Sequence, residues 1–287
     1  MCIETASRDS QVPIVESDVL IIRSAGWETA GTATTVGEQL ADLICRTFAR
    51  LHIAVDRGVR SASESNFTEA FRQSIGRNEG RIVLNDKFGV SVYPTEPRPL
   101  FLGGSGSGAW PPISEQKLVD SFSAGLSLKD SLTERERNAF DLFSSSREVR
   151  SSPEAQFALL FTAIETLLEV RPRPIRVQEH VDQLVRLTRD ANLEESEKQS
   201  LMGTLRWLKS HSIRKSGREF VTERLGRRDY SSRSPATLFL ECYDLRNRLV
   251  HGAQPFPDRE EIRKLINPLD RMVCDILTGA LLDLPSE

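Results

Sequence analysis

Residues Leu238 to Gly252 read LFLECYDLRNRLVHG, and their apolar residues have the spacing of one amphipathic helix. The apolar residues at offsets of zero, four, seven and eleven share one face: Leu238, Cys242, Leu245 and Leu249. Glycine adopts left-handed backbone conformations without strain and is a common helix stop. The stretch therefore predicts a helix that buries this stripe and ends at Gly252.

The same helix has a second, partly apolar face. It consists of Phe239, Tyr243 and Val250, with Arg246 and Asn247 among them. The side left for solvent is a narrow strip formed by Glu241, Asp244 and Arg248. A helix with two apolar faces needs two packing partners. The second face therefore requires either another part of the chain or a second copy of the protein.

The helix ends in an RNxxxH motif made by Arg246, Asn247 and His251. A histidine titrates near neutral pH, so it can donate or accept a proton during a reaction. Asn247 lies one turn before His251 and can orient its imidazole. An arginine binds phosphate and stabilises charge that develops on it, so the motif fits metal-free RNA cleavage by the adjacent 2′-hydroxyl. The spacing alone also fits a plainer role, in which an arginine and a capping histidine complete a helix.

The composition is that of a globular protein, and its formal charge gives no general signal of polyanion binding. The chain has 287 residues and a formal charge of −3, and is long enough for one large or two smaller domains. Its N-terminus lacks the apolar segment of a signal peptide, and no apolar run approaches the roughly 18 residues of a membrane span. Four widely spaced cysteines are typical of reduced thiols. We therefore expect a cytoplasmic protein without membrane contact.

Positive charge is concentrated in one segment of the chain. Residues 171–251 contain 17 Lys or Arg and 11 Asp or Glu, a surplus of +6. The remainder of the chain then carries −9. A basic segment that carries the Arg–His motif can bind phosphate, although a solvated helix surface explains the surplus equally well.

Residues 1–112 are predicted to form a small α+β domain whose role the sequence does not indicate. Its predicted elements are a strand at Ile14–Arg23, helices at Ala33–Val55 and Phe67–Ile75, and a hairpin formed by Arg81–Leu84 and Phe88–Tyr93. The domain ends in a Gly/Pro-rich linker, Pro94–Pro112. The linker glycines Gly104, Gly106 and Gly108 are not followed by the Lys-Ser/Thr pair of a phosphate-binding loop, so we interpret them as a flexible connection.

Residues 113–287 are predicted to form an all-α bundle of about eight helices, which makes the chain mainly α overall. Helix starts are marked by Ser114, by the capping box Thr133–Glu136 and by Ser152 before Pro153. Asp258 is predicted to cap a long apolar last helix, in which Pro268 introduces a kink.

No motif points to a metal or a cofactor. The histidines are His52, His180, His211 and His251, and none has a His or Cys three or four residues away. Ser105 and Ser107 lack the strand–turn–helix context of a hydrolase nucleophile. We therefore expect neither a metal site nor a cofactor-binding site.

The segment YDLRNRLVHG, at Tyr243–Gly252, resembles the HEPN superfamily and most closely its Apea-like group. Two further features carry the resemblance, namely the FALLFTAIETLLE helix at Phe157–Glu169 and the long apolar helix after the His-Gly pair. The resemblance covers about residues 132–284. It implies a HEPN-like helical bundle that dimerises through the motif helix, residues 238–252.

The resemblance also implies a function. In catalytic HEPN proteins the Arg and His of two protomers form a composite, metal-independent endoribonuclease site, which here would contain Arg246 and His251. Asn247 would support them, and Glu165 of the AIE helix would be an acidic residue near the site. Many such proteins act in prokaryotic toxin–antitoxin, abortive-infection or other anti-phage systems, so an RNA substrate and a regulatory partner or antitoxin are expected. Other HEPN domains are non-catalytic, so a nucleotide- or protein-binding or dimerisation module is the alternative.

Overall fold

The computed structural model describes residues 2–5, 20–58, 68–85, 88–97, 99–102, 114–126, 131–252, 254–279 and 281. Within these ranges the chain is mainly helical, which confirms the predicted fold class at this level. The helices, in chain order, are α1 (Ala30–Arg50), α2 (Glu69–Glu79), α3 (Glu115–Leu126), α4 (Glu134–Glu148), α5 (Pro153–Leu167), α6 (Ile175–Asp190), α7 (Glu195–Trp207), α8 (Ile213–Leu225), α9 (Pro235–His251) and α10 (Arg259–Thr278).

Among the described residues, four short strands pair in two separate ladders. Strands β1 (Cys2–Thr5) and β2 (Leu20–Arg23) are antiparallel, while β3 (Val83–Asn85) and β4 (Leu100–Leu102) are parallel. The predicted strand at Ile14–Arg23 is confirmed for its last four residues, and the rest of it lies outside the described ranges.

The predicted hairpin at Arg81–Leu84 and Phe88–Tyr93 is wrong. Within its described residues, the second arm is not a strand, and β3 pairs with β4 instead. Gly89 has a φ of +97°, and Phe88–Gly89 runs against the backbone of Gly58, where a Cβ would lie 2.0 Å from the Phe88 carbonyl oxygen. Phe88–Gly89 therefore packs against the backbone of residues 57–58.

The chain divides into two compact units, one of Met1–Val149 with Leu277–Glu287 and one of Arg150–Ile276. In the first unit α1 packs on α3, where the Phe48 and Phe122 rings meet edge to face at 5.7 Å. Helices α3 and α4 therefore belong to the same unit as α1. The predicted boundary after residue 112, with the linker glycines, lies outside the described ranges.

A buried ionic cluster, here called the Asp42 cluster, joins α1 to α4 in the first unit. The Asp42 carboxylate accepts hydrogen bonds from the backbone N–H of Leu132 (3.0 Å), from Arg57 (3.3 Å) and from Arg137 (Nε 3.1 Å, Nη2 2.8 Å). Arg57 also lies 3.8 Å from Asp141. Each charge in the cluster thus has an opposite charge within ion-pair distance.

The second unit is built on α5, α8 and α9, which contact one another. Its core includes one or more fully buried side chains from each helix, among them Phe157, Leu160, Phe161, Ile164, Val221, Leu225, Leu238 and Leu245.

Ser152 caps α5 and the Thr133–Glu136 capping box begins α4, as predicted. Asp258 caps α10, because its carboxylate accepts a hydrogen bond from the Glu261 N–H at 2.7 Å.

The three described cysteines whose side chains are placed, Cys45, Cys242 and Cys274, are free and buried. Burial raises the pKa of the Cys45 thiol to about 12, so this thiol stays protonated. No helix among the described residues is long and apolar enough to cross a membrane.

Candidate RNA-cleavage site

Helix α9 carries the RNxxxH motif and begins and ends on clear local signals. The Ser234 hydroxyl accepts a hydrogen bond from the Thr237 N–H at 3.2 Å, and Pro235 occupies the first turn. The helix ends at His251, where Gly252 has a φ of +64°. The predicted helix and its glycine stop are confirmed, so the motif occupies the last turns of α9.

The first apolar face of α9 lies in the core, as predicted. Leu238, Cys242 and Leu245 are buried, whereas Leu249 is only half-buried. This face fixes the rotation of α9 about its axis.

The second apolar face is covered in part by the chain itself. The Phe239 ring is fully buried, 5.5 Å from the Phe161 ring of α5, and Tyr243 stacks on Phe239 at 6.2 Å. Gly217 of α8 allows this approach, because a Cβ there would lie 2.0 Å from Phe239 Cζ. Val250 is 58% exposed. The second apolar face was expected to pack on another part of the chain or on a second copy. Another part of the chain covers Phe239, whereas Val250 is left at the surface.

Glu165 and Arg246 are brought together by α5 and α9. Arg246 Nη2 donates to Glu165 Oε2 at 3.4 Å, and the side chains are 29% and 15% exposed respectively. Burial raises the pKa of the Glu165 carboxyl above its ordinary value, and the charge of Arg246 opposes that rise. A partly exposed guanidinium with one long ion pair has donors left for another anion, such as a phosphate.

His251 is exposed at the end of α9 and Asn247 is half-buried. Asn247 and His251 are one turn apart and share a face, as predicted, although no hydrogen bond joins them. Five residues of α-helix separate Arg246 from His251 by about 140° around the axis and about 7.5 Å along it. The arginine and the histidine of one chain therefore leave α9 in different directions.

The other charged residues of α9 are paired within the second unit. Glu241 pairs with Arg233 at 2.7 Å, Asp244 with Arg214 at 3.4 Å, and Arg248 with Glu261. In the described part of the chain, no hydrogen bond or ion pair is made by the His251 ring. Arg246, with donors left beside Glu165, and the His251 ring are therefore the two groups of the motif that are available to a ligand.

The Arg248–Glu261 pair could not be found from the sequence, which placed Arg248 on the solvent strip. The two residues lie on different helices joined by a proline-containing segment, so no helical spacing relates them. Among the described residues, no group of three or more His, Cys, Asp or Glu side chains is placed to hold a metal ion.

The chain was compared with protein-family models, with curated proteins and with solved structures. The family models gave no match, and neither did the curated proteins or the solved structures. The resemblance to the HEPN superfamily, and the roles it implies for Arg246, Asn247, His251 and Glu165, therefore stay predictions that rest on the residues themselves.

Proposed function

We propose that this protein is a metal-independent endoribonuclease of the HEPN type. The observation that carries the proposal is the RNxxxH motif on α9, in which Arg246 keeps free donors beside Glu165 and His251 is exposed at the helix end. A cation that binds phosphate and a group that transfers protons are the two requirements for this reaction without a metal.

The proposed reaction uses the RNA's own 2′-hydroxyl as nucleophile. His251 removes its proton, the 2′-oxygen forms a bond to the adjacent phosphorus, and the bond from phosphorus to the 5′-oxygen breaks. A protonated His251 of a second copy returns a proton to the leaving 5′-oxygen. Arg246 stabilises the added negative charge on the phosphate in the transition state. The products are a 2′,3′-cyclic phosphate and a 5′-hydroxyl.

The proposed site is composite, formed by the ends of α9 from two copies. The divergence of Arg246 and His251 around the helix supports this arrangement, because the two side chains leave α9 about 140° apart. Val250, exposed between them in sequence, offers an apolar contact for the second copy. The homodimer is thus proposed to assemble through residues 238–252.

In the proposed role, the enzyme acts in prokaryotic anti-phage, abortive-infection or toxin-type defence in the cytoplasm. Such an activity has to be restrained until it is needed, so a regulatory partner or antitoxin belongs to the proposal. The part before residue 113 is proposed to sense a trigger or to restrain cleavage.

A non-catalytic binding or dimerisation module is the second candidate. The Arg246–Glu165 pair favours it, because a contact between an arginine and a carboxylate also fits a purely structural role, in which Arg246 joins α9 to α5.

Incubation of the purified full-length protein with transfer RNA in EDTA tests the proposed function. Wild type should produce fragments, and His251→Ala should reduce the rate by about 100-fold or more, the usual contribution of a general acid or base. His180→Ala is the matched control, since His180 is also an exposed histidine on a helix of the second unit and should retain activity. Equal fragment yields from wild type and His251→Ala would show that the enzyme proposal is wrong.

A further inference from the structure

Two short basic segments of the second unit are hydrogen-bonded to each other. Residues 171–176 and 206–218 together contain eight Lys or Arg and no Asp or Glu. Pro172 and Ser210 form an antiparallel bridge, flanked by hydrogen bonds from Arg173 N–H to the Lys209 carbonyl (2.8 Å) and from His211 N–H to the Arg171 carbonyl (2.9 Å). We call this bridge and its two hydrogen bonds the basic ladder. It gathers into one place cations that are distant in sequence.

Carboxylates from other segments neutralise only half of these cations. The four pairs are Arg171–Glu223, Lys209–Asp182, Arg214–Asp244 and Lys215–Glu219. The other four cations have no carboxylate partner among the described residues: Arg173, Arg176, Arg206 and Arg218. Among these eight cations and their four carboxylate partners, positive charge exceeds negative charge by four.

Trp207 lies next to the basic ladder, and its side chain is 81% exposed. It is the last residue of α7, it follows Arg206, and it precedes the ladder residue Lys209 by two positions. Helix α7 contains no buried residue at all. An indole left in water beside a cation surplus is a feature of nucleic-acid surfaces, where the ring stacks on a base and the cations hold the phosphates.

We propose that Trp207, Arg173, Arg176 and Arg206, here called the Trp207 surface, bind unpaired RNA. The inference deepens the proposed function and rests on it, because it names single-stranded RNA as the substrate class. Charge favours RNA as the ligand of this surface. A polyanion neutralises the unpaired cations, whereas an apolar protein surface would desolvate them without providing an opposite charge. The ring selects the unpaired form, since a base inside a duplex has no free face for an indole.

Fluorescence anisotropy with a labelled 20-nucleotide polyuridine tests the Trp207 surface. The full-length protein carries His251→Ala throughout, so that the probe is not cleaved, and the buffer contains EDTA. Trp207→Ala should weaken binding on the order of 10-fold, the loss of one stacked base, and Trp207→Phe should retain most of the affinity. Trp27→Ala is the matched control, because Trp27 is an exposed indole of the other unit and should leave binding unchanged.

The salt dependence of the same binding tests the cations. Arg206→Ala and Arg176→Ala should each lower the slope of log affinity against log salt by about 0.7, the value for one phosphate contact on a single strand. Lys264→Ala, an exposed cation paired with Glu260 on α10, should leave the slope unchanged. A duplex of the same length should bind more weakly than the single strand.

The outcomes separate this inference from the proposed function. Equal affinities for Trp207→Ala and Trp27→Ala overturn the inference, even if wild type cleaves RNA. Loss of binding in Trp207→Ala supports the inference, even if wild type cleaves nothing. Should the polyuridine not bind while Trp207→Ala alters the mass measured by light scattering, the surface is a protein contact and the inference is wrong.

Discussion

Two ion-paired groups, Asp42 in the first unit and Arg246 in the second, have opposite surroundings. The Asp42 side chain is 4% exposed and accepts four hydrogen bonds from three residues. The Arg246 side chain is 29% exposed and donates to one carboxylate at 3.4 Å. A charge whose hydrogen-bonding capacity is filled in the interior holds structure together. A charged group at the surface that makes only part of its possible hydrogen bonds can make further ones to a ligand.

The largest effect expected from this difference is on stability. Asp42→Ala removes the acceptor that Arg57 and Arg137 share and leaves two guanidinium groups without it. Breaking a buried ion pair from one side typically costs about 3–5 kcal/mol. We therefore expect urea unfolding of the full chain to begin at clearly lower concentration. Glu148→Gln, an exposed carboxylate on the same helix as Arg137, should leave the midpoint unchanged; a matching loss there would show that the Asp42 cluster is not special.

The next effect is on cleavage and concerns Arg246. Arg246→Ala should lower the rate of RNA cleavage by about 100-fold, since it removes the cation that is proposed to stabilise the transition state. Its effect on unfolding should stay near 1 kcal/mol, the value of a partly exposed ion pair. Initial cleavage rates and urea midpoints, measured on the same preparation, check both statements.

Arg248→Ala provides the control for Arg246. Arg248 is as exposed as Arg246 and also has one carboxylate partner, Glu261. Its loss should change stability similarly but leave cleavage near the wild-type rate. Should Arg246→Ala cause the larger collapse of the fold instead, the guanidinium would have a structural role like that of Asp42.

The smallest effect concerns the pH dependence of stability at Glu165. Its pKa in the folded chain is raised above the ordinary 4.5, mainly by burial, so at pH values between the unfolded and folded pKa the folded state holds more proton than the unfolded state. Its contribution to stability is therefore present below about pH 4.5 and is lost as pH rises through the folded pKa. Glutamine carries no charge, so Glu165→Gln should remove this dependence on pH. At neutral pH the Tm of this variant should match or exceed that of wild type, to within about 3 °C.

Glu154 gives the opposite sign and serves as the comparison for Glu165. Its pKa is lowered, first by a backbone hydrogen bond and also by Arg259, so its contribution is present above the ordinary pKa and lost in acid. Glu154→Gln should lower the Tm slightly at neutral pH. A Tm drop of equal size in Glu165→Gln would show that Arg246 outweighs burial at Glu165.

The helices could be predicted from the sequence because their signals are local. The capping box at Thr133 and Glu136, the Ser152–Pro153 start and the Gly252 stop each lie within a few residues of the boundary that they mark. The apolar spacing that begins at Leu238 likewise identified the buried face of α9.

What the sequence did not indicate depends on contacts between distant residues. The parallel pairing of β3 with β4, the approach of Gly217 to Phe239, and the fork of Arg137 on Asp42 join residues with no common periodicity. The candidate site divides in the same way. Local spacing identified Arg246, Asn247 and His251, and the resemblance placed Glu165 near the site. The direct contact of Glu165 with Arg246 depends on the packing of α5 against α9.

The basic ladder has a consequence for how this chain can change over evolution. It joins residue 172, just before α6, to residue 210, just after α7. The chain therefore enters and leaves the pair of helices α6 and α7 at one point. Helix α7 contacts α6 but has no fully buried residue, which leaves its outer surface free of packing constraints. Insertions or exchanges between α6 and α7 can therefore accumulate without moving α5 or α8. We expect sequence variation between these helices to spare the Trp207 surface and the RNxxxH helix.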